Sequence, residues 1–214
     1  MVSAIYSERK FMVREAGSSS RLHEQRFGIS QGCPMSPFLF VMVMTVLMHD
    51  ARAMLTSRLQ GTAAATSSVY DLLYADDTLL ITEDSSTAQA YMECIQAAGA
   101  EYGLSFNWTK LEVLAVRAQA DIKKPDGQRV ISKDPMKYLG SALASDGRIT
   151  SELGRRLGMA HSDFKELQRV WGHSAIVRQR KVQIFNACIV SKLMYGLHAA
   201  WLNQAERRRL DGFQ

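Results

Sequence analysis

VYDLLYADDTLLIT, residues 69 to 82, sets two adjacent aspartates, Asp76 and Asp77, between two apolar runs. Val69 to Tyr74 and Leu79 to Thr82 are short and rich in aliphatic, aromatic and β-branched side chains. Between them lies a small polar centre, Ala75-Asp76-Asp77. That pattern predicts a β-hairpin. Two readings of the aspartate pair are open from this stretch alone. In one they are turn residues, because an Asp carboxylate readily bonds nearby backbone amides. In the other they are ligands for a divalent cation: neighbouring carboxylates repel unless a cation sits against them, and hard oxygen donors suit Mg²⁺.

The hairpin sits in a chain of 214 residues, long enough for one sizeable domain or two small ones. A hydrophobic share of 47% and a charged share of 22% are those of an ordinary globular protein. The longest apolar run, Phe38 to Met48, is interrupted by Thr45 and is too short to span a bilayer. Met1 to Lys10 lacks the apolar segment of a secretory signal. The expectation is a protein that is neither secreted nor membrane-bound. Cys33, Cys94 and Cys188 are odd in number and widely spaced, which gives no metal-ligand spacing and suggests a reducing compartment. Charge is unevenly spread. Residues 1 to 147 carry 14 Lys/Arg against 16 Asp/Glu, whereas residues 148 to 214 carry 12 against 5. The last third is therefore either a polyanion-binding surface or a solvated basic helix face.

Local signals order the rest. Gly17 to Ser20 reads as a loop. Ser36-Pro37 predicts a helix start, with Ser36 as cap and Pro37 at the first helical position, and the helix runs from Phe38 to Leu59 with a buried first half. A small-residue loop, Gly61 to Ser68, leads into the hairpin. Ser85 or Ser86 caps a helix through Tyr91, Ile95 and Ala98 that stops at Gly103. Strand character returns at Leu111 to Val116, a turn at Lys124 to Gly127, and a strand leading to a turn over residues 137 to 147. Helix is expected from Ile149 to about Trp171, a break at Gly172-His173-Ser174, and a second helix from Ile176 to about Trp201. Trp171 and Trp201 are expected in the core. Mixed elements followed by helices, with an antiparallel hairpin, favour an α+β fold.

Five ordered blocks resemble the reverse transcriptases of non-LTR (LINE-type) retrotransposons. GISQGCPMSPFLF, with Gly28, Gln31, Gly32, Ser36, Pro37 and Phe40, resembles the family's motif B, and Tyr74-Ala75-Asp76-Asp77 resembles motif C. GLSFNWTK, with Gly103, Leu104, Asn107 and Lys110, is similar to motif D, although Leu111 stands where relatives often have Thr. Tyr138-Leu139-Gly140 resembles motif E, and LMYGLHAAW resembles the thumb region. The QGCPMSP wording and the YG…W ending favour a LINE-type element over group II intron maturases and telomerase.

The resemblance implies a right-hand polymerase fold: a palm of antiparallel sheet with packed helices over 28–146, then an all-helical basic thumb over 147–214. It implies nucleotidyl transfer to a primer 3′-hydroxyl assisted by two Mg²⁺ ions, with Asp76 as the main hairpin ligand and Asp77 a weaker or structural one. RNA template, DNA primer and deoxynucleoside triphosphates are the implied partners. Gln31, Gly32, Ser36, Tyr74, Ala75 and Lys110 would lie near template, nucleotide or primer end, and Tyr138, Leu139 and Gly140 would hold the primer. Arg155, Arg156, Lys165, Arg169, Arg178, Arg180 and Lys181 would meet nucleic-acid phosphates, giving sequence-independent, salt-sensitive binding.

The family's site also takes an aspartate from motif A, ahead of motif B. Residues 1 to 27 contain no aspartate, and the first in the chain is Asp50. They resemble the segment between those motifs. The expectation is thus a polymerase piece truncated at both ends, with Mg²⁺ held weakly or not at all and the missing regions supplied by a longer polyprotein. By resemblance such an enzyme works in the nucleus or cytoplasm. The alternative is a non-catalytic nucleic-acid-binding remnant. A metal-dependent phosphatase or nuclease would need more ligands than the five scattered histidines supply.

Overall fold

A computed structural model describes residues 2–26, 28–61 and 68–213. The chain opens with a short helix α1 (Val2–Tyr6) and two small antiparallel pairs, β1 (Lys10–Phe11) with β4 (His23–Glu24), and β2 (Arg14–Glu15) with β3 (Ser18–Ser19). The long helix α2 (Ser36–Leu59) follows, then the hairpin β5 (Val69–Tyr74) and β6 (Asp77–Thr82), then α3 (Ser85–Glu101). Two further pairs close this mixed part: β7 (Glu112–Val113) with β8 (Ile131–Ser132), and β9 (Met136–Tyr138) with β10 (Ser141–Leu143). Among the described residues the strands form five two-stranded sheets, four antiparallel and one, β7–β8, parallel. The α+β expectation holds. Among the described residues no continuous antiparallel sheet forms, and the strand read over Leu111 to Val116 shrinks to two paired residues.

From residue 150 the chain is helical: α4 (Thr150–Glu166), α5 (Gln168–Gly172), α6 (Arg178–Phe185), a π-helical turn at Asn186–Val190, α7 (Ser191–Met194), a 3₁₀ turn at Leu197–Ala199, and α8 (Gln204–Asp211). The second helix predicted to reach Trp201 ends at Met194 instead. Gly196 takes φ +76°, and a Cβ there would come within 2.5 Å of the Ser141 hydroxyl oxygen. That position needs glycine because it lies against the β9–β10 hairpin.

Two apolar clusters serve the mixed part. Leu47, Met48, Ala51 and Leu55 of α2 meet Tyr91, Cys94, Ile95 and Ala98 of α3, and Val69 and Leu80 of the hairpin pack onto them. Met92, Ile122 and Val130 form the second. A third, Ala160, Ile189 and Leu193 with Trp171 and Phe185 around them, holds the helical part together. Each large apolar side chain fully buried this way contributes about 1.5–3 kcal/mol.

Several local expectations are corrected. Ser36 does not cap α2 through its side chain. The helix is entered from Met35, and the buried Ser36 hydroxyl donates back to the Ser30 carbonyl at 2.6 Å, bracing the preceding loop. Pro37 does occupy the first turn. The first half of α2 is open: Phe38 is 71% exposed, and Val41, Met42 and Val46 are exposed with it, because α3 packs only along the second half. The helix also outruns the apolar stretch read from sequence, and by length and composition it could cross a membrane. Its second half nonetheless carries Arg52 and Arg58, ion-paired to Asp71 and Glu93 of neighbouring elements. Asp84, one residue before Ser85, caps α3 by accepting from the Thr87 amide at 2.7 Å, while Gly103 ends it at φ +70° as read. Residues 137 to 147 form a hairpin rather than one strand. Trp171 is packed as expected, its ring stacked on Phe164, but Trp201 is 90% exposed. The loop read over Gly61 to Ser68 lies, from 62 to 67, outside the described residues.

Candidate active site

The aspartate hairpin forms as the sequence predicts. Its register runs from Val69 opposite Thr82 to Tyr74 opposite Asp77, leaving Ala75 and Asp76 as a two-residue turn. Ala75 sits at φ +53°, a left-handed conformation that costs a non-glycine residue about 1–2 kcal/mol. Paired residues share a face of the ladder. One face therefore carries Val69, Asp71, Leu73, Thr78, Leu80 and Thr82. The other carries Tyr70, Leu72, Tyr74, Asp77, Leu79 and Ile81.

The first face is bolted down. The Asp71 side chain, only 2% exposed, accepts from Arg52 Nε at 3.0 Å and Nη2 at 2.5 Å, and from the Tyr91 hydroxyl at 3.3 Å. Helices α2 and α3 thus both grip β5 three residues before the YADD run. Burial pushes the Tyr91 hydroxyl up to about 12, which keeps it a neutral donor. Sequence reading missed this triad, because an aspartate inside an apolar run gives no sign of which cation faces it.

The second face and the tip are open. Tyr70, Leu72, Tyr74 and Ile81 are exposed, as are Asp76 and Asp77. Among the described residues neither tip carboxylate has a hydrogen-bond or ion-pair partner. Two free hard-oxygen donors suit a divalent cation. They are two, however, and among the described residues no group of three or more His, Cys, Asp or Glu gathers to complete a site. The tip fits part of a metal site.

The other predicted residues scatter around this tip. Gln31 and Gly32 are exposed in the loop before α2, with Gly32 at φ +85° and open space where its Cβ would lie. Tyr6 and Ser36, joined through their hydroxyls at 3.2 Å, hold the base of that loop. Lys110 is exposed in a turn, its amide bonded to the Asn107 carbonyl at 3.0 Å. Tyr138 reaches the hairpin directly: its hydroxyl donates to the Leu72 carbonyl at 3.4 Å. The β9–β10 turn therefore sits beside the strand that leads to Asp76.

The basic residues divide in two. Lys165, Arg169, Arg178 and Arg180 are exposed. Lys181 donates to the Trp171 carbonyl at 2.7 Å. Arg156 stands apart from the exposed set. It is buried, and its three nitrogens donate to Glu152, the Lys192 carbonyl and the Gly140 carbonyl. Arg155 likewise pairs with Glu152 and donates to the Gly140 carbonyl. The sequence did carry a signal for this, since Glu152 precedes the two arginines by three and four residues, the spacing of helical ion pairs. Arg207, Arg208 and Arg209, exposed on α8, were not singled out.

Comparison with known proteins gives this geometry a lineage. The curated Retrovirus-related Pol polyprotein from type-1 retrotransposable element R2 of Nasonia vitripennis is 24% identical over 220 residues, covering 97% of this chain and 20% of that protein. The chain thus spans about a fifth of the length of the curated relative it matches. The sequence profile of the family described as "Reverse transcriptase (RNA-dependent DNA polymerase)" matches residues 2–143, which take in both the glycine-rich loop before α2 and the YADD hairpin. With two thirds of its length so matched, the chain belongs to the reverse transcriptase family.

Proposed function

We propose that this chain is the palm and thumb portion of an RNA-directed DNA polymerase from an R2-like non-LTR retrotransposon. Residues 28–146 form the palm, 147–214 the basic thumb, and 1–27 the link between motif A and motif B. The observation that carries the reading is the hairpin tip: two carboxylates without a partner among the described residues, on a turn anchored four residues back at Asp71, whose buried carboxylate is held by Arg52 and Tyr91.

Asp76 and Asp77 are in this reading two of the ligands of a Mg²⁺ site, Asp76 the principal one. Asp76 and Asp77 would hold such ions, which when bound would supply charge stabilisation for the oxygens of nucleotidyl transfer. The chain's own contribution is position. The triad fixes the tip, the Gln31-Gly32 loop offers backbone that can approach a nucleotide or template closely, and Lys110 offers a charge for the departing pyrophosphate. Tyr138 to Gly140 hold the primer end beside the tip. The exposed Lys165, Arg169, Arg178 and Arg180 contact phosphates without reading sequence. A further carboxylate, from a motif A segment, completes the metal set, so these 214 residues alone are inactive in synthesis.

The test is primer extension on an RNA template with Mg²⁺. It compares this chain, the chain joined to an upstream segment bearing motif A, and that longer form with Asp76→Ala. Extension by the intact longer form alone is expected. Silence from all three with primer–template binding retained would leave a nucleic-acid-binding remnant instead.

A further inference from the structure

The β9–β10 turn is held far more tightly than a surface hairpin requires. Tyr138 pairs with Ser141, so Leu139 and Gly140 make a two-residue turn, and both have positive φ, +46° and +77°. This is the backbone of a hairpin turn that matches strand twist, but Leu139 occupies a conformation that favours Gly or Asn. Strain of this kind persists only where the surroundings over-determine it.

Here the surroundings come from the helical part. The Leu139 carbonyl accepts from the Tyr195 hydroxyl at 3.0 Å. The Gly140 carbonyl accepts from Arg155 Nη2 at 2.6 Å and Arg156 Nη2 at 2.7 Å. The Ala142 amide donates to Glu152 Oε2 at 3.0 Å. Glu152, 1% exposed, also accepts from both arginines, and the Arg156 guanidinium lies 4.7 Å from the centre of the Tyr195 ring. Three backbone groups of one short hairpin are thereby tied to four side chains from α4 and from the bend after α7. The tie continues on the other side, where Tyr138 meets the Leu72 carbonyl of the aspartate hairpin.

We propose that Glu152, Arg155, Arg156 and Tyr195 are positioning residues for the primer end: a charged clamp by which the thumb sets where the Leu139-Gly140 turn stands relative to Asp76. The inference rests on reading residues 138–140 as the primer-holding turn. A carbonyl held by two charge-assisted donors, as that of Gly140 is by Arg155 and Arg156, is stiff, and placement errors near 1 Å at a reacting centre cost up to roughly a hundredfold in rate. A clamp of this stiffness has a use where a strand end must stay in line with the metal ligands.

The test needs no catalysis. The chain is bound to an RNA template annealed to a DNA primer whose last base is 5-iododeoxyuridine, irradiated, and the crosslinked peptide mapped. Wild-type protein is expected to crosslink within residues 136–143. Tyr195→Phe removes one hydroxyl from a half-exposed ring, and Arg156→Lys keeps the charge but loses the fork. Both are expected to bind primer–template almost as tightly as wild type while that crosslink falls about tenfold, in keeping with a misplaced end. A role confined to stability would lower the melting temperature and leave the crosslink unchanged, which would overturn the proposal. Should Arg156→Lys fail to fold, Tyr195→Phe decides alone. A wild-type crosslink elsewhere would overturn the primer-holding reading itself, and the clamp's role with it.

Discussion

Two hairpins in this molecule are built alike and finished differently. Both turn in two residues, and both place a non-glycine residue in left-handed backbone at the first of them, Ala75 at φ +53° and Leu139 at φ +46°. At the first turn the anchoring lies four residues back, in Asp71, and among the described residues the tip carboxylates have no partner. At the second, the turn carbonyls themselves are taken by Tyr195, Arg155 and Arg156. The contrast separates two ways of using a hairpin. A tip that offers ligands must leave its side chains unpaired and take rigidity from further down the strand. A tip that offers only a location can spend every backbone acceptor on being held.

The largest expected effect lies at the free tip. In a polypeptide competent for RNA-templated synthesis, Asp76→Ala should lower the extension rate by at least about a hundredfold, since even partners one layer beyond a metal ligand cost 10–100-fold. The same change should leave urea stability within about 0.5 kcal/mol, as at other partnerless surface sites. Equal losses of both would erase the distinction between ligand and anchor.

Arg52→Ala attacks the anchor instead. It leaves the buried Asp71 carboxylate with the Tyr91 hydroxyl but without its cation, a defect worth about 1–3 kcal/mol by urea denaturation. A shift under about 1 kcal/mol would mean the triad does not hold the hairpin.

Alkaline titration sharpens the same point through Tyr91. Its folded pKa of about 12 lies above the ordinary 10.0, so its contribution to stability is fully present below pH 10 and is lost as pH rises towards 12. Two pH units of separation correspond to roughly 2–3 kcal/mol. Tyr91→Phe should flatten that alkaline limb of the melting profile. Glu152, in the other hairpin's clamp, works in the opposite direction. Burial pushes its pKa up, but bonds from Arg155, Arg156 and the Ala142 amide outweigh burial and hold it below the usual carboxylate range. Its contribution is therefore present above that range and lost as pH falls through the lowered value.

The smallest effect expected is a gain. Ala75→Gly relieves the left-handed strain at the open turn, offset by a looser unfolded chain, and should stabilise by up to about 1 kcal/mol in urea.

Much of this was legible in the chain. Two short runs rich in aliphatic, aromatic and β-branched residues around Ala75-Asp76-Asp77 marked the hairpin, and Gly103 the end of α3, because both signals are local. What could not be read locally was partnership. The apolar first half of α2 reads as buried, yet hydropathy does not say what covers a helix, and α3 stops short of Phe38. Arg156 counts as one more positive charge until Glu152, one helical turn earlier, is seen to face it. Trp201 is large and aromatic and still stands 90% exposed, on the irregular link between the 3₁₀ turn and α8 rather than on the helix the pattern predicts. The α3 cap moved from Ser85 or Ser86, as read, to Asp84 just before them, where neighbouring residues are all good acceptors.

Nuclear magnetic resonance with Mn²⁺ tests the difference between the two turns most directly. Titrated into the chain, the paramagnetic ion should broaden the backbone resonances of Ala75 to Asp77 first, spare Leu139 and Gly140, and lose the tip effect in Asp76→Ala. Broadening that ignores the hairpin tip, or that survives the substitution unchanged, would contradict the account.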